Sequence, residues 1–195
     1  VLIKRAKILE ERGEPDGAIA LLEEAAAIVG GGVQPRLLLC ARHNLAFLLT
    51  TAERYAEAAA LLPEVRRLSR ELGNPLDLLR LRWVEGRIAF GTRGGDQAAE
   101  AALRQVQKEF FDLRMGYDAA LVSLDLAALY AREGRTAEQK ALAVEIMPVF
   151  ESREVNREAM AALLMFQHAA QEERLTADLA RQLAAFLKRE RRARR

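Results

Sequence analysis

Cys40 and His43 stand three residues apart, a spacing that puts a thiol and an imidazole on one helix face where both could reach a metal ion. A closed zinc site takes four such ligands, and the only other histidine, His168, lies far along the chain, so the pair reads as ordinary helix-face residues. Nucleophilic catalysis has even less to work with. The serines are Ser69, Ser123 and Ser152, and none sits in a nucleophile-elbow sequence or beside a His-Glu metal motif. Gly30, Gly31 and Gly32 are followed by no Lys-Ser/Thr and preceded by no strand, so they form a flexible joint and not a phosphate loop. The many carboxylates fall at helix-face spacings that solvation and ion pairing account for. The chain is therefore expected to be no enzyme, with no metal and no cofactor.

The elements that carry these residues are all helical. Of 195 residues, 51% are hydrophobic and 30% charged, with sparse aromatics and no strand pattern. Charges such as Arg42 and Glu85 interrupt every apolar stretch before it reaches the ~18 residues of a membrane span. A single cysteine, Cys40, permits no internal disulfide, and the cytoplasm is the expected compartment. The chain opens at Val1 already inside a helical pattern (Leu2, Ile3, Ala6, Leu9), as a piece of a longer protein would. Its net charge of +2 is unevenly placed. Lys188 to Arg195 carry six basic and one acidic side chain, a basic tail, while the rest, with 24 basic and 27 acidic, is −3.

Helix ends recur at Leu9, Leu49, Phe90, Tyr130 and Ala170, spaced 40, 41, 40 and 40 residues apart. Aligning these anchors brings other residues into columns. Six positions on, Pro15, Tyr55, Asp96, Thr136 and Thr176 open the next helix; nine on come Ala18, Ala58, Ala99, Gln139 and Leu179. Thirteen on stand Leu22, Leu62, Leu103, Ala143 and Leu183, and sixteen on Ala25, Val65, Val106, Ile146 and Phe186. The pattern predicts helices over 1–12, 16–29, 35–52, 54–72, 75–91, 96–114, 117–133, 136–151, 155–173 and 176–192. Gly13, Gly94 and Gly134 fall in the turns, where a residue of positive φ is useful. Asn74 before Pro75 reads as an N-cap with proline at N1, and Thr136 with Gln139 as a capping box. Pro63 and Pro148 fall inside helices, where each removes a backbone hydrogen bond and should kink the axis.

Trp83, then Phe90 seven later, Gly94, the small Ala99 and the large Leu103 resemble the tetratricopeptide repeat, here with elongated units similar to those of bacterial regulators. The resemblance fades in the fourth and fifth units, where Gln139 and Leu179 replace the small alanine. It implies a right-handed α-solenoid of about five antiparallel helix pairs, a single domain over 1–195, with a concave groove lined by the first helix of each pair. That groove would present Cys40, His43, Asn44 and Phe47, then Leu81, Val84, Glu85 and Ile88, then Leu121, Leu124, Asp125 and Ala128, and last Leu164 and His168. Asn44, Glu85 and Asp125 form its polar column. Asn44 matches one position of the carboxylate clamp of chaperone-binding members, but Leu81 and Glu85 stand where that clamp has Lys and Arg, which disfavours an acidic peptide terminus. The resemblance implies a protein- or peptide-binding scaffold within a bacterial signalling or regulatory protein. The alternative is the ligand- or peptide-sensing domain of a transcription regulator. A protein or peptide segment is the expected partner; self-association through an uncovered stacking face is open to it. Nucleic acid is expected only at the basic tail, and a membrane not at all.

Overall fold

The computed structural model describes residues 1–31, 34–150 and 157–193, of which 147–150, 157–159 and 191–193 are described by backbone alone. Ten helices account for nearly all of them: α1 (Leu2–Glu11), α2 (Pro15–Val29), α3 (Pro35–Thr51), α4 (Tyr55–Leu72), α5 (Pro75–Gly91), α6 (Asp96–Asp112), α7 (Gly116–Arg132), α8 (Thr136–Phe150), α9 (Arg157–Gln171) and α10 (Ala177–Ala193). No strand occurs among the described residues, and the fold is all-α. No helix is long and apolar enough, among those residues, to cross a membrane.

Helix ends explain the 40-residue spacing. The residue four past each of three anchors is left-handed, Gly13 (φ 78°), Glu53 (φ 60°) and Gly134 (φ 69°). The next N–H then turns back to the anchor carbonyl: Glu14 to Leu9, Arg54 to Leu49 and Arg135 to Tyr130, each at 2.9 Å. This six-to-one bond of a Schellman turn satisfies carbonyls the helix end leaves open. In the fifth unit Arg174 donates to Ala169 at 2.8 Å, so the anchor there is Ala169 and the turn arrives one residue earlier than the spacing implied. At the start of α5 the Asn74 side chain accepts from the Leu76 N–H at 2.9 Å, the N-cap expected ahead of Pro75. The Thr136–Gln139 capping box does not form. The Thr136 N–H bonds the Gly134 carbonyl at 3.1 Å and the Gln139 N–H that of Arg135 at 3.2 Å, so both backbone donors of the box are taken, and the buried Gln139 amide donates instead to the carbonyls of Ala127 (3.4 Å) and Leu175 (3.1 Å).

Exposed Arg114 also takes a left-handed conformation, φ 55°, where Met115 N–H bonds Phe110 O at 2.8 Å. A Cβ is strained there by about 1–2 kcal/mol, while glycine adopts the conformation freely at a smaller entropic cost. Arg114→Gly is therefore expected to raise the melting temperature by a few degrees, and an unchanged or lower value in a calorimetric scan would contradict it. Neither internal proline ends its helix: α4 continues through Pro63 and α8 through Pro148. Gly32 and Ser152 lie outside the described residues.

Contacts divide the chain into two compact units, Val1–Ala99 and Glu100–Arg195. In the first, successive helices from α1 to α5 pack on one another and α3 also meets α5. Short turns make these neighbours antiparallel hairpins. The alanine column supplies the close approach, since Ala18, Ala58 and Ala99 are fully buried. Around it Ala6, Ile19, Leu22, Leu45, Leu48 and Leu49 form one core cluster, and Leu38, Leu39, Val65, Leu68 and Leu81 belong to another. Gly91 is needed for packing, because a Cβ there would lie 2.2 Å from the ring of Tyr55.

The second unit closes on itself. Helix α7 packs against α8, α8 against α9, α9 against α10, and α10 returns to α7. A regular repeat would have placed α9 beside α7. Helix α10 takes that flank with Ala180, Leu183 and Leu187 buried, and α7 is interior at every residue from Asp118 to Tyr130 except half-buried Asp125. Helix α10 carries the basic run from 188 as far as Ala193, one residue beyond the expected end at 192; Arg194 and Arg195 lie outside the described residues.

Candidate functional site

The groove residues expected on α3 are only partly accessible. Asn44 is exposed, and its amide donates to the sulfur of exposed Cys40 at 3.7 Å. His43 turns inward, with Nε2 buried and without a hydrogen-bond partner. Burial pushes its pKa below the ordinary histidine range, against the opposing pull of the Arg80 backbone carbonyl; the nearby Arg80 cation lowers it further and Asp77 raises it. Such a pair offers no metal site. Among the described residues no group of three or more His, Cys, Asp or Glu side chains is placed to hold an ion.

A histidine held neutral binds fewer protons folded than unfolded. Its contribution to stability is complete above about pH 6.5 and is lost as pH falls through that value toward the depressed folded pKa. The urea midpoint of the wild type should accordingly fall more between pH 7.5 and pH 5 than that of His43→Gln. Parallel pH curves would show that the imidazole is not buried neutral.

Phe47 is half-buried, edge-on to Trp83 with centroids 5.1 Å apart and beneath the Arg87 guanidinium at 4.4 Å. Arg87 also donates to Thr51 Oγ1 at 3.1 Å, which leaves this cluster a packed joint between α3 and α5. Glu85 faces α4, where Arg66 pairs with it at 2.6 Å. Ile88 packs on the core of α1 to α4.

The apolar stripe itself is interior: Leu81 and Val84 in the first unit, Leu121, Leu124 and Ala128 in the second, all at most 4% exposed. They are core residues and line no open groove. The physical reason is that α5 and α7 are covered on more than one side, α5 by α3 and α4 and α7 by α8 and α10, so the apolar residues facing those neighbours are buried.

Exposure returns on α9. Leu164 and Met165 are 50% and 58% exposed and, with Ala169 and Leu179 of α10, line a shallow, mainly apolar cleft of about 440 Å³. Its rim carries His168, Glu172 and Arg174. One Glu172 oxygen lies 3.4 Å from His168 Nε2 and the other 3.2 Å from Arg174. Leu164 and His168 were expected on a binding face; Met165 and Leu179 were missed. The signal for Met165 was present in α9, whose buried Ala162, Leu163, Phe166 and Ala170 already fill one face and leave Leu164 and Met165 as a second apolar face.

A polar cluster in the second unit is a brace. Tyr130 is fully buried, donates its hydroxyl to Glu100 at 2.7 Å and accepts from Arg104 Nε at 3.1 Å. Arg104 reaches Glu145 at 3.0 Å and Gln107 at 3.2 Å, and Gln107 donates to buried Ser123 at 2.7 Å. Compared with protein-family models, curated proteins and solved structures, the chain matches none.

Proposed function

We propose that this chain is a non-catalytic protein- or peptide-binding module of a cytoplasmic bacterial signalling or regulatory protein. Its first unit is read as a right-handed stack of tetratricopeptide-like hairpins, and its binding surface as the α9/α10 cleft. The repeated Schellman turn and the buried alanine column support the hairpin reading.

The observation that carries the function is the pair Leu164 and Met165, half-exposed side by side over an apolar floor. Full burial of such a side chain is worth about 1.5–3 kcal/mol, so a partner covering the remaining half of both would gain on the order of 2 kcal/mol from these two alone. The polar rim beside them fits an interface, where an apolar centre is ringed by charge.

A random peptide library displayed on phage tests this. The wild-type chain should enrich peptides that Leu164→Glu/Met165→Glu does not, while both give the same circular dichroism spectrum and melting curve. Identical enrichment by both, or none by either, would remove the cleft as the binding surface.

A further inference from the structure

The surface that begins in the cleft continues along α10 and changes character. Leu179 lines the cleft, and Phe186, seven residues later, lies two turns along the same face and is half-exposed. Gln182 and Arg189 stand on that face as well, both exposed, and the Arg189 guanidinium covers the Phe186 ring with its carbon 5.8 Å from the centroid. A ridge about 15 Å long thus starts at an apolar cleft and ends at a cation held over an aromatic ring. The sequence makes the far end strongly cationic. Residues 157–195 contain nine Lys and Arg against five Asp and Glu, a net +4, while the preceding 156 residues are −2.

We propose that the α9/α10 hairpin seats an amphipathic helix of a partner protein. The apolar residues of that helix fill the cleft beside Leu164, Met165 and Leu179, and its acidic residues, two to three turns away, lie along Arg189. This partner assignment rests on the cleft being the binding surface. Charge selects it over a second copy, because a copy presenting the same hairpin would bring two cationic ends into one interface or leave one uncompensated. The cleft sits where α9 turns into α10 and Arg189 near the other end of α10, so a bound helix lying parallel to α10 carries its apolar anchors first and its acidic residues after them. It also places no demand on a terminal carboxylate.

Three fluorescein-labelled peptides of about 16 residues, long enough to cover the ridge as a helix, test the assignment. They share leucines at i, i+3 and i+7 and differ only in the polar residues of the last two turns, all Glu, all Gln or all Lys. Titration of the whole 195-residue chain should give anisotropy-derived affinities in the order Glu, Gln, Lys. About tenfold should separate the first two, as a few exposed charge pairs supply, and the gap should narrow as salt rises from about 0.05 to about 0.5 M. Arg189→Glu should reduce the preference for the Glu peptide, and Leu164→Glu should weaken all three. Equal affinity for the three peptides, lost together in Leu164→Glu, would overturn the acidic partner while keeping the cleft. Binding that Leu164→Glu leaves unchanged, or no binding at all, would overturn both. Concentration-dependent dimerisation in sedimentation equilibrium, abolished by Leu164→Glu, would make a second copy the occupant and overturn the assignment.

Discussion

Leu124→Glu is expected to unfold the second unit and not merely to blunt a binding surface. Leu124 is 1% exposed on a helix whose flanks are taken by α8 and α10. Losing the buried leucine side chain costs about 2–5 kcal/mol, and the carboxyl that replaces it must either ionise in an apolar interior or stay protonated at the expense of a raised pKa. Together these approach the 5–15 kcal/mol that holds a whole domain folded. Urea titration followed by circular dichroism should show the transition of residues 100–195 lost or moved to near zero denaturant. Leu164→Glu, on the exposed side of α9, should leave the curve almost unchanged. If Leu124→Glu melted like the wild type, α7 would have to be open to solvent, and the groove inferred from its leucines would be restored.

The contrast between Leu124 and Leu164 shows how much the sequence could say. Positions and ends of helices were legible because their causes are local: Asn74 caps α5, Gly13 and Gly134 supply the left-handed residue of a turn, and alanines nine positions past an anchor permit close approach. Exposure is not local. An apolar stripe on α7 reads the same whether water or α10 covers it, and the return of α10 to α7 depends on long-range packing that a repeat pattern does not encode. Glu85 was misplaced for the same reason, since its partner Arg66 lies on a different helix. Gln139 was legible as a departure from the alanine column, and its pairing with Thr136 as a capping box was wrong. Its task, donating to Ala127 and Leu175 carbonyls, depends on where the loop before α10 comes to rest.

Tyr130 carries a second large effect, hidden in the sequence by its place in a column of apolar anchors. Its ring lies under Arg135 at 4.4 Å and has Arg104 at 5.6 Å, and its hydroxyl joins Glu100 to Arg104. Arg135 in turn grips both oxygens of Glu100, at 2.7 and 3.1 Å, and reaches Glu133 at 2.9 Å and Glu138 at 2.8 Å. Tyr130→Ala removes a buried aromatic and should cost about 3–5 kcal/mol. Tyr130→Phe keeps the ring and its cation contacts but deletes hydrogen bonds to charged groups, so a cost of about 1.5–3 kcal/mol is expected. Acid separates the two contributions. The Arg135 hydrogen bonds, then that of Tyr130, hold Glu100 below its usual pKa of 4.5 against the opposing effect of burial. A carboxylate with a lowered folded pKa contributes stability that is complete above the unfolded value and is lost as pH falls through the folded one. In Tyr130→Phe the folded pKa of Glu100 should rise toward 4.5, and loss of stability should begin at a higher pH than in the wild type. Urea midpoints at pH 7 and at steps between pH 5 and pH 3 measure both effects. A phenylalanine variant as stable as the wild type at pH 7, with the same acid limb, would mean that the hydroxyl carries none of the load and that Arg135 alone fixes Glu100.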